Sequence, residues 1–99
     1  YDFLRSRIEA ARALDLPSVI QLCRCFLSID VTARLPEIQH PACVIVGEKD
    51  ILKPPHYSET IADRIPDAEL HMLPGAGHAS FWESAEPFNQ VVLDFLRRG

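Results

Sequence analysis

One stretch constrains this chain more than any other: Ala42-Cys43-Val44-Ile45-Val46-Gly47, an apolar run rich in β-branched residues with no polar break. Its length and composition suit a strand covered on both faces, as in a parallel sheet. Gly47-Glu48-Lys49-Asp50 ends it in a turn. Pro54 and Pro55 then open a helix to about Ile65, with Ile61, Ala62 and Ile65 facing inward. Pro66-Asp67 breaks that helix. Glu69-Leu70-His71-Met72-Leu73 reads as a second, shorter strand, and Pro74-Gly75-Ala76-Gly77 as a loop. Glu86-Pro87 starts the last helix, where Phe88, Val91, Val92, Phe95 and Leu96 follow the i, i+3, i+4, i+7, i+8 pattern.

Strand, helix, strand, helix in that order predicts a right-handed βαβ unit of α/β class. Such a unit puts both strand C-termini on one edge, the edge where sites form in open α/β sheets. The loops leaving that edge are Gly47–Pro54 and Pro74–Phe81. Upstream, residues 4–15 are spaced for a helix through Leu4, Ile8, Ala11 and Leu14. Pro17 suits the first turn of a second helix capped near Asp15 or Leu16, apolar over a wide face and expected to be buried or to pack over another element. Residues 30–41 form a linker, since Pro36 and Pro41 prevent a continuous helix.

Composition excludes several classes. The 99 residues are 47% hydrophobic and 24% charged, ordinary for a globular domain. A net charge of −4 argues against a nucleic-acid surface. No apolar run reaches the length of a membrane span, roughly 18 residues. Cys23, Cys25 and Cys43 are odd in number and lie in apolar runs, which predicts buried, reduced thiols in a cytoplasmic protein. His40, His56, His71 and His78 are scattered with no carboxylate at ligand spacing on a shared face, so no metal is expected. Gly75-Ala76-Gly77 lacks the context of a dinucleotide loop, and no cofactor is expected.

Each rim loop carries one candidate for acid–base chemistry. Asp50 stands three residues past Gly47, and His78 five past Leu73. A histidine base needs a carboxylate to hold its tautomer and stabilise the imidazolium, and its ordinary pKa, about 6.5, suits proton transfer near neutrality. Taken singly, Asp50 is as well explained as a turn former and His78 as a solvated loop residue. Their placement on successive βα loops is what favours the pair.

Pro41 through Asp50 resembles the α/β-hydrolase segment in which a buried strand ends in Gly-x-x-Asp, the Asp being the triad acid. Leu73-Pro74-Gly75-Ala76-Gly77-His78 resembles the segment that delivers the triad His, and Trp82 through Leu96 is similar to the closing helix of that family. The resemblance spans about residues 35–98. It implies Asp50 as orienting acid and His78 as general base. It also implies that Ala79, Ser80 and Phe81 line the site mouth, that Ile51 and Leu52 lie within reach of substrate, and that residues 1–34 are the end of a helical cap and linker before a core of residues 35–99. Loop packing accounts equally well for Ile51 and Leu52.

The nucleophile of that family sits in a Gly-x-Ser-x-Gly elbow. None of Ser6, Ser18, Ser28, Ser58, Ser80 and Ser84 is so flanked. The chain therefore reads as a fragment of a longer hydrolase, inactive alone, its first residues lacking an initiator Met. The resemblance implies a small-molecule ester or lactone substrate and a serine nucleophile upstream. An aspartate nucleophile, as in haloalkane dehalogenases and epoxide hydrolases, a C–C hydrolase, and a non-catalytic interaction module are the alternatives. With a sheet edge unpaired, the fragment is expected to self-associate or to pair with the missing N-terminal part.

Overall fold

The computed structural model describes residues 1–99 and divides them into two compact units, Tyr1–Asp30 and Val31–Gly99. The first unit holds helices α1 (Asp2–Arg12) and α2 (Leu16–Ser28). α1 stops earlier than its apolar spacing predicts, because Asp15 serves the next helix: its carboxylate accepts from the Ser18 amide at 3.0 Å and caps α2. The expected burial of α2 is not observed. Leu22, Phe26 and Leu27 are exposed, and so are Cys23 and Cys25, which corrects the reading of buried thiols. Nothing within the first unit is large enough to cover a helix that is apolar on so wide a face.

The second unit opens on a 3₁₀ helix, Thr32–Glu37, where a plain linker was expected. The Arg34 guanidinium donates twice to Glu37 Oε2, from Nε at 3.1 Å and Nη2 at 3.0 Å, across one such turn. Then follow β1 (Ala42–Gly47), α3 (Pro55–Arg64), β2 (Ala68–Leu73), α4 (Ser80–Glu83) and α5 (Ala85–Arg98). Pro55 sits in the first turn of α3, where its missing N–H costs nothing, and Pro66 ends the helix just past Ile65. α5 starts at Ala85, just before Glu86-Pro87, which leaves Pro87 within the first turn, and the short α4 precedes it.

β1 and β2 are direct neighbours and parallel, in register from Ala42↔Ala68 to Gly47↔Leu73. α3 and α5 both pack on this pair. Burial is uneven along it. Val46, Ile65, Leu73 and Ala76 form the buried core: Val46, Leu73 and Ala76 lie near the strand ends that carry the loops, and Ile65 closes α3 toward the start of β2. Ile61, expected inward, is 37% exposed, since two strands cannot cover the whole of α3. No helix is long and apolar enough to cross a membrane.

Gly47 is where the two strand ends touch. A Cβ placed there would lie 2.3 Å from the Gly77 carbonyl oxygen and 2.4 Å from that of Ala76, both backbone atoms. Gly75 needs glycine for another reason: its φ of +70° is left-handed, while the space around it is open. Gly47→Ala should therefore cost about 3 kcal/mol, at the upper end of ordinary single substitutions. Gly75→Ala should cost about 1 kcal/mol. Urea unfolding of the two variants, compared with the parent chain, checks the order.

Candidate active site

The loops after β1 and β2 are laced together before any side chain is considered. Glu48 N donates to Leu73 O at 3.0 Å, and Lys49 N to Ala76 O at 2.8 Å. These bonds carry the strand pairing past its formal end and bring the acid loop against the histidine loop. Carboxylates add two further ties. Glu48 Oε2 accepts from Gly75 N at 2.8 Å, and Glu83 Oε2 from Gly77 N at 2.9 Å.

Asp50 and His78, 28 residues apart in sequence, meet at this rim: Asp50 Oδ2 lies 2.9 Å from His78 Nδ1. The other carboxylate oxygen, Oδ1, accepts from Leu52 N at 3.0 Å and Lys53 N at 2.8 Å. Asp50 is thus both a turn former and the partner of His78, one oxygen for each. It is buried, at 7% exposure, whereas the His78 side chain is 53% exposed. Burial opposes the charged carboxylate, but the Lys53 amide, the His78 ring and the Leu52 amide outweigh it and hold Asp50 below the usual carboxylate value. A carboxylate can only accept, so Nδ1 carries the ring proton and Nε2 is left as the basic nitrogen of an exposed imidazole.

The remaining expected site residues are distributed as follows. Ile51 and Leu52 follow Asp50 and are 86% and 66% exposed. Ala79 is half-buried. Phe81 is exposed at the start of α4, although its ring also meets Phe88 edge to face at 6.3 Å. Ser80 is buried, and no hydrogen bond joins it to His78.

Sequence reasoning missed Glu48 and Glu83. It also missed a second group, Cys43, Glu69 and His71, whose ligand atoms lie within 4.8 Å of one another. Cys43 pairs with Glu69 in register and His71 follows two residues on, so all three share a sheet face. That corrects the expectation that no carboxylate shares a face with a histidine. Glu69 Oε1 accepts from Arg98 Nη2 at 2.7 Å and contacts His71 Nε2 at 3.0 Å. Arg98 first, then His71, hold Glu69 below its ordinary value, while burial and then the Glu69 charge push the Cys43 thiol up. A cation would have to share Glu69 with a guanidinium and strip a reluctant thiol. The group reads as a clamp from α5 to the start of β2. A groove of about 740 Å³ adjoins it, lined by Pro41, Ala42, Ala68, Glu69, Phe95 and Leu96 among others. It opens at the starts of the strands, away from the rim that carries Asp50 and His78, by about 17–20 Å of strand.

No family model matches the chain. RutD of Stutzerimonas stutzeri, provisionally named a carbamate hydrolase, is 37% identical over 94 residues, which is 92% of this chain and 36% of that protein. A 2-hydroxy-6-oxo-6-phenylhexa-2,4-dienoate hydrolase of Burkholderia cepacia is 40% identical over 70 residues, 71% of this chain and 24% of that one. Among solved structures, MGS-MChE2, an α/β hydrolase from a Mar Chica lagoon metagenome, superposes with a TM-score of 0.79 at 28% identity, covering 84% of this chain and 38% of its own. A thermophilic esterase from Thermogutta terrifontis gives a TM-score of 0.67 at 35% identity over 70% of this chain and 25% of its own. The chain thus spans about a third of the length of the first of these relatives, and the matches fall in the C-terminal part of the full-length proteins.

The Asp50 shift has a stability consequence. Its folded value lies below the unfolded one, about 3.9 for aspartate, so the unfolded chain takes up the proton first as pH falls. The stabilisation is full above about pH 5 and fades as pH drops through the lowered folded value. Asp50→Asn keeps an oxygen for the Leu52 and Lys53 amides but does not titrate. The stability gap between parent and variant should be widest at neutral pH and should narrow steadily toward about pH 2, as read by urea unfolding across that range.

Proposed function

We propose, from a chain that belongs to the α/β-hydrolase fold superfamily, that it supplies the acid and the base of a hydrolase whose nucleophile lies outside these 99 residues. The observation that carries this reading is the 2.9 Å contact between Asp50 Oδ2 and His78 Nδ1 on an exposed rim. Asp50 orients the imidazole and stabilises its cation. Nε2 takes the proton of a serine hydroxyl as the oxygen attacks an ester or lactone carbonyl, and returns it to the departing alkoxide. In the second half, Nε2 deprotonates the water that releases the acyl group. Ile51, Leu52, Ala79 and Phe81 border the acyl or leaving group from the two loops. Residues 1–34 end a cap, and the protein works in the cytoplasm.

C–C bond hydrolysis is the second reading, favoured by the identity to the 2-hydroxy-6-oxo-6-phenylhexa-2,4-dienoate hydrolase. It uses the same pair with a different electrophile. An aspartate nucleophile or a non-catalytic module keeps the fold and changes or drops the chemistry.

In the full-length hydrolase, His78→Ala should lower kcat/KM on p-nitrophenyl acetate by about 10³-fold or more, and Asp50→Asn by a comparable factor. Equal activity in His78→Ala would end this reading. In isolation the chain should self-associate through the open edge of β1 or β2, each of which has one strand partner. Sedimentation across micromolar concentrations should show a dimer, and a monomer throughout would contradict it.

A further inference from the structure

Resting on that reading, we infer that Glu83 is a positioning residue for His78. His78 follows Gly77 in a loop with a second glycine, Gly75, in left-handed conformation. Glycines leave such a loop free to rotate, so something outside it must hold the histidine. Behind Gly77 the chain is already fixed: Ala76 is 2% exposed and its carbonyl accepts from Lys49. Ahead of it, Glu83 closes residues 77–83 into a ring. Its carboxylate accepts from Gly77 N at 2.9 Å, and its own amide donates to Ala79 O at 2.9 Å. His78 sits within that ring, one residue from the held amide. A Cβ on Gly77 would stand 3.0 Å from Glu83 Oε2 and 3.1 Å from Oε1, so an added methyl would press on the carboxylate, which would have to give by a few tenths of an ångström.

The consequence is specific. Gly77 φ and ψ are the torsions that would swing His78 off Asp50, and the Glu83 carboxylate brakes them without touching the imidazole. Glu48 holds Gly75 in the same manner from the acid loop, but two residues farther from His78 in sequence. Its removal should matter less.

Three variants test this. In the full-length hydrolase, Glu83→Ala should lower kcat by between about 10- and 100-fold with KM nearly unchanged, the size expected for a misplaced catalytic group. Glu83→Gln keeps an oxygen for Gly77 N and should recover to within about 3-fold of the parent. Gly77→Ala, which crowds the carboxylate from the other side, should fall between them. In the 99-residue chain, the Nδ1 proton of His78 should give a sharp downfield NMR resonance that is lost in Glu83→Ala and retained in Glu83→Gln. Parent-like kcat per folded molecule in Glu83→Ala, or a surviving Nδ1 resonance, overturns the inference. The failure of the hydrolase reading itself is distinct: His78→Ala would then leave activity unchanged, whatever Glu83 does.

Discussion

The approach of the two strand ends at Gly47 governs what this structure can do. With only a hydrogen in place of a side chain, β1 lets the carbonyls of Ala76 and Gly77 come within the distance a Cβ would occupy. The loops then exchange backbone hydrogen bonds from Glu48 to Leu73 and from Lys49 to Ala76. Asp50 and His78 are carried into contact by these bonds more than by their own attraction. A single hydrogen bond to a half-exposed imidazole contributes only modestly by itself. Here it is formed at the end of a preorganised backbone, so little conformational freedom remains for the pair to lose.

The same region holds the buried core. Val46, Leu73 and Ala76 lie under the rim, and Asp50 and Ser80 are buried with them. Packing therefore supports the site directly: the residues that exclude water are those beneath the histidine loop. The starts of the strands are tied differently, by Arg98 of α5 reaching Glu69. Much apolar surface elsewhere stays exposed, including Leu22, Leu27, Trp82 and Leu96, as suits a chain about a third as long as the RutD relative.

Much of this was legible in the residues. The run from Ala42 to Gly47, short and rich in β-branched residues, marks a strand, although only its last two residues are buried, and its partner is marked by the alternation around His71. Asp50 and His78 stood out because each follows a strand on the same edge. What was not legible depends on register and on side-chain reach. Nothing in the sequence states that Cys43 faces Glu69; that follows from a parallel pairing whose offset no local pattern specifies. Glu83 lies five residues past His78 at the head of the stretch that resembles a closing helix, and its bond to Gly77 emerges only once α4 turns it back toward the histidine loop. The wide apolar face of α2 points to burial, but burial is a property of what packs against a helix, and the first unit holds only one other element.

The central claim is that the Asp50 carboxylate fixes the proton of His78 on Nδ1 and leaves Nε2 basic. Nitrogen-15 NMR of the ring, on protein labelled in histidine, reads this directly above the imidazole titration. The account predicts a protonated, pyrrole-type shift at Nδ1 and a pyridine-type shift at Nε2 of His78, with Asp50→Ala reverting the ring to the mixed tautomers of free histidine. A parent ring that already shows that mixture, or one protonated on Nε2, would contradict it.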